Sequence, residues 1–283
     1  MRTVKGFNKG HSVLRVTEIA GRDMKSYKLT VAPNGARLQK SDHPALPISC
    51  AETVKTALDC FNAGANEIHL HVRTEDGKHN LDPGRYRECI QELHKTIPDM
   101  TIQITTESAG LFEVSQQLQC LEELRPKAAS ISIREMARDP KLATQAYSIC
   151  AETGTKVQHI LYTPKCVAQL IKWHDDATIP KNQNDVIFVL GHYNPPVLGH
   201  PDHINVFLSA ISGRSYNWTT CAFGKNEHSC LLRTIQLGGD ARIGFENNHQ
   251  QSNGEIFPDN ASSVEAFVAL ATSHNFTTME IGK

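Results

Sequence analysis

The sequence predicts a single-domain α/β protein with the (β/α)8, or TIM barrel, fold, because eight short apolar runs alternate with longer helical segments. The runs have the length and composition of buried strands. They are KLTVA (28–32), EIHLHV (67–72), TIQIT (101–105), ASISI (129–133), VQHILY (157–162), VIFVL (186–190), YNWTTCA (216–222) and ARIGF (241–245). Each strand-to-strand crossover contains a helix, so the strands must pair in parallel.

An open doubly wound sheet is the rival fold. It is disfavoured because the first run is followed by NGARLQKSDHPALPIS rather than by a tight glycine-rich phosphate turn. We therefore predict a barrel domain over residues 25–283, preceded by an N-terminal extension over residues 1–24 that has no assigned function.

Helices are predicted by apolar residues spaced at i, i+3, i+4 and i+7, as in Val54, Ala57, Leu58 and Phe61. Their starts carry N-terminal capping signals. Capping boxes are predicted at Ser49 with Glu52 and at Ser262 with Glu265, and a cap followed by proline at Asp82-Pro83, Asp139-Pro140 and Thr163-Pro164.

Composition narrows the classes of partner. The 283 residues carry 29 basic and 30 acidic side chains, and no Lys/Arg cluster predicts binding to nucleic acid or to a membrane. The eight cysteines form no C-x-x-C pair, and no apolar stretch has the length of a signal peptide or a membrane span. We expect a cytoplasmic protein with free thiols.

The segment EIHLHVR (67–73) is the most informative. Alternation turns its apolar residues toward the helices and its polar residues into the barrel. His69 and His71 are then stacked about 7 Å apart near the carboxyl end of the strand, where barrel active sites lie. Two interior histidines that are merely hydrogen-bonded are the alternative, because a metal site needs a third ligand.

A third ligand is available at the end of the eighth strand. If Arg242 points into the barrel, alternation along the strand predicts that Glu246, four residues later, points inward as well. In a closed barrel the second and eighth strands both flank the first. His69, His71 and Glu246 therefore predict a catalytic metal site with an open position. The ligand types favour Zn²⁺, with Fe²⁺, Mn²⁺ or Co²⁺ as alternatives.

Several motifs resemble the β-keto acid cleavage enzyme family, whose best-known type is the 3-keto-5-aminohexanoate cleavage enzyme. They are APNGA (32–36), AGANEIHLHVR (63–73), QITT (103–106), VLG (189–191) and GGDARIGFENN (238–248). The resemblance implies a zinc-containing barrel that is a homotetramer or a homodimer. It also implies a retro-Claisen exchange in which a β-keto acid and acetyl-CoA give acetoacetate and a new acyl-CoA.

The resemblance carries over to individual positions. His69, His71 and Glu246 match the zinc ligands of the family, and Arg242 matches its active-site arginine. Two hydroxyl positions that would hold the keto acid are matched by Thr105 and Ser130.

A site for acetyl-CoA is predicted at the turn Gly224-Lys225-Asn226, before the seventh helix of the predicted pattern. A helix N-terminus with a glycine and a lysine can receive a phosphate or pantetheine group, and barrels often bind phosphate near these strands. An ordinary strand-to-helix turn is the alternative.

The sequence departs from the family at two positions. Asn247 stands where the family has an aspartate that acts in proton transfer, and a neutral amide cannot accept a proton at ordinary pH. Gln158 stands where an acidic residue is expected on the fifth strand. Glu135 and Glu107 are the candidate substitute bases, with salt-bridged loop carboxylates as the alternative.

Other polar residues are assigned less specifically. Arg134 or Arg73 could clamp the substrate carboxylate, and His192 could reach the substrate. Glu67, inside the barrel, needs a partner or a proton.

Three functions remain open. They are the zinc-dependent acyl-CoA exchange, a metal-dependent aldolase or lyase without CoA, and a non-catalytic metal-bound sensor or binding barrel, which Asn247 would suggest. The retained metal-site residues favour the first.

Overall fold

Eight parallel strands close into a barrel in the computed structural model, which describes residues 24–280. In chain order the barrel strands are Leu29–Val31, Glu67–Leu70, Thr101–Thr105, Ala128–Ser132, Lys156–Leu161, Asp185–Leu190, Asn217–Ala222 and Asp240–Ile243. Each strand pairs with its sequence neighbours, and the eighth pairs with the first. The predicted fold is confirmed. The predicted extension over residues 1–24 lies, except for Met24, outside the described residues.

Helices cover the outer face of the barrel and bury the main apolar core against it. Within residues 24–280 they are α1 (Cys50–Asn62), α2 (Pro83–Thr96), α3 (Val114–Leu124), α4 (Ile133–Met136), α5 (Pro140–Thr153), α6 (Pro164–Asp175), α7 (Ile204–Ala210), α8 (Glu227–Gln236) and α9 (Asn260–Ser273), with a 3₁₀ turn at Pro201–His203.

Helix starts mostly follow the predicted capping signals. Ser49 and Glu52 form the predicted box before α1: the Glu52 N–H donates to Ser49 Oγ at 3.2 Å, and the Ser49 N–H donates to Glu52 Oε2 at 3.0 Å. Helices α2, α5 and α6 begin at the predicted prolines. The box at Ser262 is wrong, because the Asp259 carboxylate caps α9 three residues earlier and accepts the Ser262 N–H at 2.8 Å.

Within residues 24–280, two short strand pairs lie outside the barrel. Lys25–Tyr27 pairs in parallel with Phe276–Thr278, and Val72–Arg73 pairs with His79–Asn80 in an antiparallel hairpin. The second barrel strand thus ends at Leu70, earlier than the predicted residue 72, because the chain turns out into this hairpin.

The barrel interior contains both apolar and polar side chains. Ile160, Ile187, Val189 and Cys221 form an apolar cluster from the fifth to seventh strands. On the second strand, the buried Glu67 accepts hydrogen bonds from Thr30 Oγ1 at 2.8 Å and Lys28 Nζ at 3.3 Å, which supplies the partner that its burial requires.

The turn after the eighth strand lies against the first strand. Gly244 has φ of +135°, and a Cβ there would lie 2.5 Å from the Ala32 carbonyl oxygen. Two residues later the Glu246 N–H donates to that same oxygen at 3.0 Å. Glycine therefore allows the close approach that brings Glu246 over the barrel mouth.

Replacing Gly244 with alanine should lower the free energy of unfolding by about 3 kcal/mol, because the new Cβ meets backbone that cannot move aside. Gly213→Ala is the matched control. It also has positive φ, +79°, but its added Cβ would have no atom within 4 Å, so a loss of about 1 kcal/mol is expected. Urea unfolding of both variants measures the difference. Equal stabilities would show that the close approach does not constrain the turn.

Candidate active site and metal centre

Two imidazoles meet at the end of the second barrel strand. His69 and His71 are each about 1% exposed, and their Nε2 atoms lie 3.1 Å apart. The His69 Nδ1–H donates to Gln103 Oε1 at 2.8 Å, which leaves the Nε2 lone pair facing His71. Burial, followed by the charge of Arg242, lowers the pKa of His69 to about 3, so this ring is neutral at physiological pH.

Glu246 brings a carboxylate to the same point. Its Oε2 atom lies 3.6 Å from His69 Nε2 and 3.4 Å from His71 Nε2. This oxygen is buried and has no hydrogen-bond partner among the described residues. The three predicted ligands therefore converge, within 4.8 Å of one another.

The donor set fits a zinc-type metal ion. Ligands placed about 2.0–2.1 Å from a tetrahedral Zn²⁺ are separated from one another by roughly 3.3 Å, close to the three separations found here. Two imidazoles and one carboxylate are also a ligand combination of catalytic zinc sites, which keep one position open. The unpartnered carboxylate oxygen is the atom that a cation would satisfy.

A chain of amides sets the orientation of His69. Gln103 Nε2 donates to Gln158 Oε1 at 3.3 Å, and Gln158 Nε2 donates to Thr219 Oγ1 at 3.1 Å. Gln158, noted in the sequence only as a missing acid, therefore orients Gln103, which in turn accepts from the imidazole. Gln103 was not predicted as a site residue. Its position two residues before Thr105 on the third strand nevertheless indicated that its side chain points into the barrel.

Arg242 holds the other oxygen of Glu246. Its Nη2 donates to Glu246 Oε1 at 3.1 Å, to Asn247 Oδ1 at 3.4 Å and to Cys221 Sγ at 3.3 Å. Burial by itself would raise the pKa of Glu246, but the Arg242 charge and the two histidines lower it well below its usual range. The ligand is therefore an ionised carboxylate.

A cavity of about 440 Å³ opens in front of these residues. Of the predicted site residues, its wall includes His69, Thr105, Glu107, Arg134, His192, Arg242, Glu246 and Asn247. Ile160 and Val189 from the fifth and sixth strands and the rings of Tyr162, Tyr193 and Phe223 also line it.

Thr105 presents a hydroxyl to this cavity. Its Oγ1 accepts hydrogen bonds from the Glu107 N–H at 3.0 Å and from Ser130 Oγ at 3.3 Å. With two donors already bound, the Thr105 proton is free to donate into the cavity. Ser130 lies fully buried behind Thr105 and supports it.

The two candidate bases differ in position. Glu135 is buried outside the cavity wall, where its Oε2 accepts from the Ser108 N–H at 2.9 Å and from Gln117 Nε2 at 2.8 Å. Glu107 lines the cavity, and its carboxylate makes no hydrogen bond or ion pair with the described residues.

Several charges act on Glu107. Burial raises the pKa of this carboxyl, and the negative charges of Glu246 and Glu135 raise it further, whereas His71 and Arg37 lower it. The net direction is upward, which moves Glu107 toward the pKa of a useful base near neutral pH.

Arg73 is not available to substrate. It is 4% exposed, and its guanidinium donates to the backbone carbonyls of Asn34, Gly35, Leu38 and Gly77. It ties the loop after the first strand to the hairpin after the second.

The predicted CoA-binding turn is only partly available. The Gly224 N–H donates to the Asn247 carbonyl at 3.1 Å, and Asn226 Nδ2 donates to the Gly199 carbonyl at 2.9 Å. Lys225 is exposed, and the preceding Phe223 borders the cavity. Gly224 and Asn226 therefore hold the turn together, and the Lys225 ammonium is the group left to meet a phosphate.

Comparison with known proteins identifies relatives over most of the chain. The model of the beta-keto acid cleavage enzyme family matches residues 27–281. A 3-keto-5-aminohexanoate cleavage enzyme from Fusobacterium nucleatum is 28% identical over 256 residues, covering 88% of this chain and 92% of the relative. A 3-oxoadipate:acetyl-CoA acetyltransferase from Cupriavidus necator is 24% identical, covering 87% and 88%.

Solved structures support the fold alone, because their identities are low. ObcA in a ternary complex with a C4-CoA adduct and oxalate aligns with a TM-score of 0.66 at 12% identity over 83% of this chain, which spans 65% of the ObcA chain. Type I 3-dehydroquinate dehydratase from Clostridium difficile aligns with a TM-score of 0.58 at 13% identity, covering 89% of this chain and 94% of that chain.

Within residues 24–280, no helix has the length and apolar character needed to cross a bilayer.

The metal centre can be tested by elemental analysis. We expect about one zinc per chain in the purified protein and none in the His69→Ala, His71→Ala double variant, because two of three ligands are lost. Gln103→Leu should weaken zinc binding about tenfold to hundredfold in a chelator competition, because the His69 ring loses its hydrogen-bond acceptor. Gln119→Leu, on the exposed face of α3, is the control. Full occupancy in the double variant would contradict the ligand assignment.

Proposed function

Because the chain belongs to the β-keto acid cleavage enzyme family, we propose that it catalyses the zinc-dependent exchange of a β-keto acid with acetyl-CoA. The products are acetoacetate and a new acyl-CoA. The convergence of His69, His71 and Glu246 on one point, with His69 and Glu246 on the cavity wall, is the observation that carries this proposal. Relatives with acetyl-CoA in their names support the co-substrate.

The reaction breaks the bond between C2 and C3 of the keto acid. The CH2–COO⁻ fragment joins the acetyl carbonyl carbon and becomes acetoacetate as the bond between that carbon and the CoA sulfur breaks. The remaining acyl group then joins the released CoA sulfur. No electron donor or acceptor is needed. The chain must hold the keto acid, exclude water and move protons.

A zinc ion held by His69, His71 and Glu246 would supply a Lewis acid that polarises the ketone. The protein residues around it fix the substrate. Thr105 Oγ1 donates its free proton to an oxygen of the keto acid carboxylate, and the Arg242 guanidinium keeps Glu246 ionised and correctly turned. Arg242 Nε is buried and has no hydrogen-bond partner among the described residues, so its N–H is a further donor available to the substrate.

Glu107 is the group that we assign to proton transfer in place of the family aspartate. Asn247 lies on the cavity wall beside Arg242, but its amide has no basic site. Glu107 faces the same cavity with an unpaired carboxylate and a raised pKa. Glu135 cannot serve, because its oxygen is occupied away from the cavity.

Acetyl-CoA would approach over Phe223, with Lys225 available for a phosphate group. All eight cysteines are free thiols, which supports a cytoplasmic location. We also keep the homotetramer or homodimer implied by the family as a proposal that sedimentation analysis can test.

The activity is tested with the zinc-loaded protein, acetyl-CoA and a panel of β-keto acids. Acetoacetate and the matching acyl-CoA should appear together by mass spectrometry, and the His69→Ala, His71→Ala variant should lower the rate to background. Turnover without CoA would instead identify an aldolase or lyase. Binding of keto acids without any turnover would identify a sensor or binding barrel, the reading that Asn247 favours.

Glu107→Gln should lower kcat by about 10²- to 10⁴-fold while zinc content is retained, because the base is removed and the metal ligands are intact. The wild-type rate should fall as the pH drops through the raised pKa of Glu107, since only the ionised carboxylate accepts a proton. This acidic limb should vanish in the variant. Glu135→Gln is the matched control and should keep most of the activity, because glutamine retains an acceptor oxygen. If Glu135→Gln lost the activity and Glu107→Gln kept it, proton transfer would be assigned to Glu135 instead of Glu107.

A further inference from the structure

We propose that Arg134, stacked on Tyr162, forms a second anion-binding site in the cavity, which takes the terminal carboxylate of a dicarboxylic β-keto acid or a phosphate of CoA. This inference deepens the proposed function and rests on it for the identity of the two sources. It assigns a role to a charged group on the described wall that neither metal binding nor proton transfer uses.

The stacking of the two side chains fixes the guanidinium. Arg134 Cζ lies 3.4 Å from the centroid of the Tyr162 ring, which is the distance of direct face contact. In this arrangement the ring covers the flat face of the guanidinium and leaves its N–H edge open. A planar fork with an open edge is the geometry that binds carboxylate and phosphate oxygens in pairs.

Among the described residues, Arg134 has no acidic partner that would occupy this edge. Its neighbour Glu135 turns away and accepts hydrogen bonds from Ser108 and Gln117. Glu107 shares the cavity, but Arg37 is the arginine whose charge acts most on it. The positive charge of Arg134 is therefore uncompensated within the protein.

The position of Arg134 in the barrel suits the far end of a substrate. The metal ligands come from the ends of the second and eighth strands, whereas Arg134 follows the fourth strand, opposite the eighth in the closed barrel. A keto acid whose head lies at the metal ligands would extend its tail across the cavity toward this arginine. That geometry favours a tail carboxylate over a phosphate, which would enter from the cavity mouth.

The charge balance of the cavity agrees with this assignment. Arg242 is neutralised by Glu246, to which it is hydrogen-bonded. Arg37 and Arg134 remain with Glu107 as the single other acidic side chain on the described wall, so the site carries an excess of positive charge. A dianionic substrate is matched to that excess better than a neutral or cationic tail.

The test compares two keto acids of equal chain length, 3-oxoadipate and 3-oxohexanoate, which differ in the terminal carboxylate. The zinc-loaded wild-type enzyme should use 3-oxoadipate with a kcat/KM about tenfold higher, and Arg134→Gln should abolish this preference while the rate with 3-oxohexanoate changes little. Arg134→Lys should keep part of it, since the charge remains but the fork is lost. Loss of the preference in Arg37→Gln and its survival in Arg134→Gln would overturn the assignment.

The CoA source gives a different result. If Arg134 binds a phosphate, Arg134→Gln should raise KM for acetyl-CoA equally with both keto acids, and no tail preference should exist in the wild type. Unchanged keto acid preference together with unchanged KM for acetyl-CoA would refute the anion site altogether.

A binding measurement separates this inference from the proposed function. Calorimetric titration of the zinc-loaded protein with each keto acid, without acetyl-CoA, should show tighter binding of 3-oxoadipate, and Arg134→Gln should remove the difference. If that difference is present while no keto acid is turned over, the anion site stands and the proposed activity fails. If the enzyme turns over both keto acids but binds them with equal affinity, and KM for acetyl-CoA is unchanged in Arg134→Gln, the proposed activity stands and the anion site fails.

Discussion

The buried carboxylate of Glu246 is the constraint on which the rest of the site depends. An ionised carboxylate away from water is costly unless its oxygens are compensated. Arg242 compensates one oxygen at 3.1 Å, and the other is left against the Nε2 atoms of His69 and His71. The protein thus gathers two imidazole nitrogens and one carboxylate oxygen at a single point, and a divalent cation is the natural partner of such a donor set.

Backbone geometry keeps this carboxylate in place. Gly35 has φ of +57°, and a Cβ there would lie 2.5 Å from Glu246 Cγ, so only glycine leaves room for the side chain. On the other side, the fully buried Glu227 accepts the Gly244 N–H at 3.2 Å and the Asn248 amide at 3.3 Å. The turn that carries Glu246 is therefore fixed both from the loop after the first strand and from α8. The Glu246 carboxylate needs little rearrangement to bind a metal ion.

Local periodicity explains which features the sequence could predict. Alternation along a strand decides which side chains enter the barrel, so the inward direction of His69 followed from the sequence. His71 and Glu246 lie just beyond the ends of their strands, and their convergence with His69 depends on the turns there. The roles of loop residues did not follow from alternation. Glu107 and Glu135 both follow a strand end, and only the path of the chain after each strand, a loop for Glu107 and α4 for Glu135, shows that one faces the cavity while the other binds Ser108. The alternative role of Arg73 as a clamp for the substrate carboxylate was wrong for the same reason, since three of its four carbonyl partners lie on the loop after the first strand.

The two short strands Lys25–Tyr27 and Phe276–Thr278 lie side by side at the base of the barrel. Asn66 reinforces this junction by donating to the Met279 carbonyl at 2.8 Å while accepting the Leu29 N–H. Both described ends of the polypeptide therefore leave from the face remote from the chemistry. Joining these ends through a linker and opening the chain in a surface loop would give a circular permutant with an unaltered cavity. Affinity tags can likewise be attached at the base without obstructing entry to the cavity.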